Sequence, residues 1–317
     1  MMTIVSSLRA ASPARLLGAA VLVLALSGAA AAQQSYKTPE EAAAALVSAA
    51  RSRDGRAILS VLGAGGVNIV RSGDRVADAA TRERFLAAYD AQHRIETGDE
   101  NKATLVVGKD DFPFPIPLVR KDGGWQFDPA AGREEILYRR NGRNELAAIQ
   151  AALAYVDAQQ DYADKGVSGA GVYARRIASQ PGKKDGLYWP AKSGEDESPL
   201  GKFAADAAAD GYRAGQTPKP YHGYYFRILT RQGANASGGA ADYMVRGKMI
   251  GGFGLVAYPA QYGNSGVMTF VVNHEGVVFE KDLGPRTPSI VTRMSAFNPD
   301  GTWRRVSDTD RDPATAR

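Results

Sequence analysis

The chain has 317 residues, 44% hydrophobic and 23% charged, with a formal net charge of +5. These are ordinary globular proportions, with room for two domains or one large one, and they exclude wholesale disorder and a membrane-embedded body. The basic surplus is too small to argue for nucleic acid, and it falls to +3 once Arg9 and Arg15 leave with the leader described next.

Residues 1–32 have the layout of a signal peptide. A basic start (Arg9, Arg15) precedes an apolar run from Leu16 to Leu26 and small residues ending Ala30-Ala31-Ala32, which places cleavage before Gln33. The run is short for a transmembrane helix and no later stretch is longer, so no stable membrane insertion is expected after cleavage. The chain contains no cysteine. That removes disulfides, thiol catalysis and thiolate metal sites, and it removes lipid attachment at Leu26-Ser27-Gly28-Ala29, where a cysteine would have to stand in place of Ala29. The expected location is the periplasm or the exterior.

Thr38-Pro39-Glu40-Glu41 predicts a helix start, with threonine as N-cap, proline in the first turn and Glu41 completing a capping box. Helix follows to about Ser52, then from Asp54 to Leu62, ending at Gly63, and again from about Asp78 to Gln92. The period then changes. Ala103–Val107, Ile116–Arg120 and Trp125–Phe127 read as strands, the last two joined by the turn Lys121-Asp122-Gly123-Gly124. Three prolines between Phe112 and Pro117 confine that stretch to an edge. Residues 33–130 therefore read as an α+β domain, loosely similar to the cystatin-like and nuclear-transport-factor-like cone folds.

Residues 131–285 read as a second domain. A short helix over Arg133–Asn141 precedes a long one opened by Asn144-Glu145, whose stripe of Leu146, Ile149, Leu153 and Val156 seeks a sheet. Ala170–Ser179 and Ser198–Gly211 are predicted as further helices, with a polar stretch over Ala191–Glu197 between them. From Tyr221 to Gly284, runs rich in β-branched and aromatic residues, each closed by Gly, Pro or Asn, predict an antiparallel meander. Its firmest turn is Asn273-His274-Glu275-Gly276, and one face is expected under helices with the other partly wet. Residues 286–317 lose periodicity and read as a flexible tail.

Gly124-Trp125-Gln126-Phe127-Asp128, Gly142-Arg143-Asn144-Glu145-Leu146, Asp185-Gly186-Leu187-Tyr188-Trp189, Tyr221-His222-Gly223-Tyr224-Tyr225-Phe226, Tyr262-Gly263-Asn264-Ser265-Gly266-Val267-Met268-Thr269-Phe270 and Glu280-Lys281-Asp282-Leu283-Gly284-Pro285 together make the chain resemble a bacterial exported family, domain of unknown function 2950. That resemblance spans about 36–285 and brings no assigned activity, cofactor or catalytic residue. The long helix with Tyr155 and Tyr162, followed by a meander, is also similar in design to the globular part of type IV pilins. The pilin membrane helix is missing, which puts polymerisation in doubt.

The three histidines share no ligand spacing with one another or with carboxylates, so no metal or cofactor is implied. His93 falls at a predicted helix end and His274 in a turn. His222 would stand among Tyr188, Trp189, Tyr221 and Tyr224 if the loop at 183–190 folds over the strand start, making an aromatic cleft with one titratable group; the bland reading is a hydrogen-bonded histidine at a strand start. Ser265 sits in a near miss of the glycine-x-serine-x-glycine elbow, with Val267 where the second glycine belongs. Gly247–Gly252 ends in a strand and offers no helix N-terminus for phosphate. Arg139, Arg140 and Arg143 at a predicted helix start could hold a carboxylate or phosphate, or serve as salt bridges and a cap. With no catalytic constellation, the leading expectation is a non-enzymatic envelope binding or interaction module for an envelope protein or small ligand. The alternative is a periplasmic hydrolase-type enzyme built around His222 with Tyr221 or Tyr224 as acid or base.

Overall fold

A computed structural model describes residues 33–191, 195–213 and 219–307. The leader at 1–32, part of the polar stretch at 192–194 and the chain end at 308–317 lie outside the described residues. Thr38 caps the first helix, accepting from the Glu41 amide at 3.1 Å, while the Glu41 carboxylate takes the Lys37 amide at 3.0 Å. That helix, α1 (Pro39–Ser52), is followed by α2 (Gly55–Leu62), α3 (Val67–Val70) and α4 (Arg75–Ala91), with Asp54 and Asp74 capping α2 and α4. Strands β1 (His93–Asp99), β2 (Lys102–Val107), β3 (Phe112–Pro113), β4 (Leu118–Lys121) and β5 (Gly124–Phe127) form an antiparallel sheet in the order β1-β2-β4-β5, with β3 beside β2. The proline-rich β3 is off the main ladder, as an edge must be. Left-handed Asp122 and Gly123 (φ 53° and 80°) make the tight β4–β5 turn. Leu46, Leu62, Ile116, Leu118 and Phe127 fill the core between helices and sheet.

One helix, α5 (Pro129–Asp164), replaces the two predicted around Gly142. Asp128 caps it through the Ala130 and Ala131 amides. A Cβ at Gly142 would meet nothing within 4 Å, so the residue sits on an open flank, where glycine weakens a helix by about 1 kcal/mol and packing on either side holds it continuous. The predicted helix at Ala170–Ser179 does not form. Gly166, Gly169 and Gly171 all have positive φ and turn the chain instead. Helix α6 (Gly201–Ala209) lies within the predicted Ser198–Gly211 span.

The meander is present as β6 (Tyr224–Leu229), β11 (Gly254–Pro259), β12 (Met268–Asn273) and β13 (Phe279–Asp282), antiparallel neighbours in that order. Between β6 and β11 lie the short strands β7 (Arg231–Gln232), β8 (Ala241–Asp242), β9 (Met244–Val245) and β10 (Lys248–Met249). The Asn273–Gly276 turn is there, with Gly276 at φ 72°. Tyr155, Leu255, Phe270 and Val272 share the core between α5 and one face of this sheet.

The second face is covered too, and by the supposed tail. Helix α7 (Thr287–Arg293) and β14 (Ala296–Phe297) form there, Val291 and Phe297 packing on Val256 and Val271, while β15 (Arg304–Arg305) pairs with β13 at the edge of the sheet. Arg227 on β6 caps α7 by donating to the Val291 and Met294 carbonyls. Buried Val291, Phe297 and Val306 explain why this segment is ordered as far as residue 307: each removes apolar surface from water although none recurs at a helix or strand period. The fold is α+β, and the described residues form one compact unit. Among them, no helix is long and apolar enough to cross a membrane.

Candidate functional site

Asp74 stands at the junction between the two sheets' halves of the molecule and is 1% exposed. One carboxylate oxygen accepts from the Val76 and Ala77 amides at 3.0 and 3.1 Å, capping α4; the other accepts from the Tyr212 hydroxyl at 2.8 Å and the Gly223 amide at 2.9 Å. The Tyr212 oxygen in turn accepts from the His222 amide at 3.1 Å. His222 and Gly223 are both left-handed (φ 44° and 74°), and Tyr221 and Tyr224 close the turn with reciprocal backbone bonds. His222 is thus a turn residue held by its backbone, and only Gly fits beside it: a Cβ at Gly223 would lie 2.6 Å from Asn144 Nδ2.

The His222 imidazole packs on Tyr212 and Tyr221, with Nε2 3.8 Å from Asp210 Oδ2. Burial pushes its pKa down from the ordinary histidine value, against the pull of Asp210 and Asp74. Burial pushes the Tyr221 phenol up to about 12, with Asp210 and Asp206 adding to it, and Tyr212 is raised by burial and by Asp74. At neutral pH both phenols stay protonated, the Tyr212 hydroxyl donating to Asp74, and neither is poised as a base. Ser265 does reach this turn, but it is fully buried, donates to the Gly223 carbonyl at 2.9 Å and accepts from the Gln261 amide at 2.9 Å. A nucleophile needs an exposed hydroxyl facing a base, and this one faces backbone.

The aromatic cleft drawn from the sequence does not close around His222. Tyr221 and His222 come together, joined by Tyr212, but Tyr224 is buried with its hydroxyl on the Met268 carbonyl and its ring on Phe270. Trp189 packs on Tyr162, far along α5 from Asn144, where Gly223 sits. Those two helical positions are about 27 Å apart at 1.5 Å per residue. The loop at 183–190 goes to the 176–179 segment instead, Tyr188 exchanging backbone bonds with Ile177 and Ser179.

The arginine group is also dispersed. Since α5 runs through Gly142, no free amides surround Arg139, Arg140 and Arg143. Arg140 donates to the Asn68 carbonyl at 2.7 Å, to the Ile69 carbonyl and to Asn264 Oδ1 at 2.8 Å, and burial lowers its pKa against the opposing pull of Asp78. Arg139 pairs with Glu135 and lies over Phe112, while Arg143 is exposed. His93 opens β1 instead of ending a helix, stacked on Tyr89, and His274 is an exposed turn residue. Among the described residues, no three His, Cys, Asp or Glu side chains are grouped to hold a metal ion.

A different site lies at the far end of α5. The glycine-rich turn after α5 brings residues 172–176 alongside β10, Tyr173 donating its amide to the Met249 carbonyl at 2.8 Å. Between them is a cleft of about 590 Å3 lined by Tyr162, Ser168, Tyr173, Arg175, Arg176 and Lys248, with Asp185 at its side. Tyr162 anchors the floor, its hydroxyl 2.5 Å from Ser168 Oγ and donating to the Lys184 carbonyl at 2.7 Å. The cations are weakly engaged. Arg176 Nε is 3.6 Å from Asp185 Oδ2, Arg175 reaches the Gly247 carbonyl at 3.4 Å, and the Lys248 ammonium lies over Gly169. Three cations thus face one carboxylate. Sequence reasoning missed this site because its two parts lie more than 60 residues apart; the signals were Arg175-Arg176, Lys183-Lys184 and Arg246-Gly247-Lys248.

A family model described as "Protein of unknown function (DUF2950)" matches residues 33–306. No curated protein and no solved structure matches the chain.

Proposed function

The chain belongs to that family of unknown function, and we propose that it is an exported, non-enzymatic binding protein of the cell envelope whose cleft beside α5 holds an anionic group. The observation that carries this is the convergence of Arg175, Arg176 and Lys248 on a floor of Tyr162 and Tyr173, with Asp185 as the facing carboxylate. Guanidinium groups suit carboxylate and phosphate, which they grip with paired N–H donors, and half-buried Tyr173 adds an aromatic side chain to the cleft wall. At His222, by contrast, the surrounding polar groups are already taken up by structure.

Inorganic phosphate titrated into residues 33–317 is expected to move the amide resonances of Gly169, Arg175 and Lys248 saturably. The double variant R175A/K248A should abolish those shifts with an unchanged unfolding temperature; shifts that persist would overturn the assignment. Export predicts that protein recovered from the periplasm begins at Gln33. The layout of residues 1–32 supports it, and recovery of chains still starting at Met1 would contradict it.

The second reading, a hydrolase at His222, draws support from Asp210, 3.8 Å away, which could orient the ring. It requires His222→Asn to abolish an activity that R175A/K248A retains.

A further inference from the structure

We infer that the anion met by this cleft is carried on a membrane: the β9–β10 hairpin and the cleft beside it form a docking surface for anionic phospholipid headgroups. This rests on the cleft reading above and adds a second, independent feature, the apolar face of the hairpin.

Val245 pairs with Lys248 and Met244 with Met249 across the hairpin. Side chains alternate across a strand, so Met244 and Met249 face inward while Val245, Lys248 and Ile250 share the outward side. Exposure agrees: Met249 is 0% exposed, Val245 42% and Ile250 46%. Val67, Phe112 and Tyr138 are the other large apolar side chains exposed among the described residues, so two of five fall within six residues of one hairpin. The turn between the strands is Arg246-Gly247, both left-handed, which makes the tip tight and projects Arg246.

Around these apolar side chains cations outnumber acids, Arg175, Arg176, Lys183, Lys184, Arg246 and Lys248 against Asp185 and Asp242. Arg175 and Arg176 line the adjoining cleft, and Lys183 and Lys184 lie exposed on the neighbouring loop. Lys184 spreads over the Trp189 ring, 5.3 Å from its centroid. The facing acids are engaged: Asp185 beside Arg176, and Asp242 accepting the Met244 amide at 2.8 Å. A soluble anion would need only the cations. Exposed Val245 and Ile250 between them match a surface that is negative at the headgroups and apolar just beneath, where aliphatic side chains gain from shallow burial and each cation from the surface potential. One hairpin supports reversible attachment, not anchoring.

The test uses residues 33–317, since the apolar leader run would itself enter lipid, and sediments the protein with phosphatidylcholine vesicles with and without phosphatidylglycerol. Binding is expected only with phosphatidylglycerol and is expected to disappear at high salt. Each neutralised cation among Arg175, Arg246 and Lys248 should weaken it about fivefold. V245S/I250S should weaken vesicle binding about tenfold while leaving the inorganic-phosphate shifts at Arg175 and Lys248 intact. Equal binding to both vesicle types, or V245S/I250S binding as tightly as the parent, would overturn the inference. If phosphate shifts appear and vesicles do not bind, the membrane inference falls and the cleft reading stands; if neither appears, both fall.

Discussion

The Asp74–His222 junction and the Arg175–Lys248 cleft are both polar, both border α5, and are built in opposite ways. At the junction one carboxylate receives four donors, and the Tyr212 hydroxyl and the His222 and Gly223 amides all have partners. In the cleft three cations share a single carboxylate and the shortest of their contacts is 3.4 Å. A buried polar group left unmatched is destabilising, so saturation marks a structural joint; unmatched charge at an open surface costs little and remains available to a ligand. A histidine among tyrosines is the more eye-catching sequence, yet the plain cationic residues are the ones left free to bind.

Substitutions should separate the two regions by what they change. Asp74→Ala removes a helix cap and strands the Gly223 amide and Tyr212 hydroxyl, so it is expected to lower unfolding free energy by about 3 kcal/mol or more in urea titration. Gly223→Ala forces a left-handed Cβ into the space of Asn144 and Ser265 and should cost about 2 kcal/mol in the same measurement.

The pH dependence is smaller and has a definite sign. Burial holds folded His222 below the ordinary 6.5, so the unfolded chain takes the proton first. Its contribution is fully present above 6.5 and is lost as pH falls through that value toward the folded pKa. His222→Asn, which tolerates the left-handed turn, should flatten the decline in unfolding temperature below pH 6.5. Raised Glu145 and Asp78 carboxyls work in the opposite sense, and the difference between variant and parent removes them. At the small end, R175A/K248A should change stability by less than about 0.5 kcal/mol. A loss comparable to Asp74→Ala would make the cleft another structural joint.

Local chemistry was legible in the sequence wherever one residue decides the backbone. Thr38 and Glu41 announced α1, and Asp122-Gly123 announced the β4–β5 turn, because capping and left-handed φ are read within four residues. What failed depended on distant packing. Gly142 looked like a helix boundary, but Arg140 and Asn144 on either side are fixed by bonds to residues 68, 69, 264 and 265. The meander's second face looked partly wet because Val291 and Phe297, which cover it, lie in a segment without period. The site failed for the same reason: Tyr221 and His222 are adjacent in sequence and visible together, whereas Arg175 meets Lys248 only after the chain has turned back along α5.

The continuity of α5 bears on how the molecule assembles. Thirty-six residues give a rod about 54 Å long, whose two halves on either side of Gly142 can form locally while its continuity there is secured by bonds to residues 264 and 265. The bonds that tie the N-cap of α4 and the residues just before it to the C-terminal part close loops of 138, 149 and 193 residues, through Tyr212, Gly223 and Asn264. Such contacts carry high contact order and are made after local structure has formed. A chain ending before β6 would therefore hold α4 against α1 and β2 through Phe85, Ala88 and Tyr89 but leave Asp74 at its N-cap without Tyr212 and Gly223, so the locking of that cap belongs to the last stage of folding.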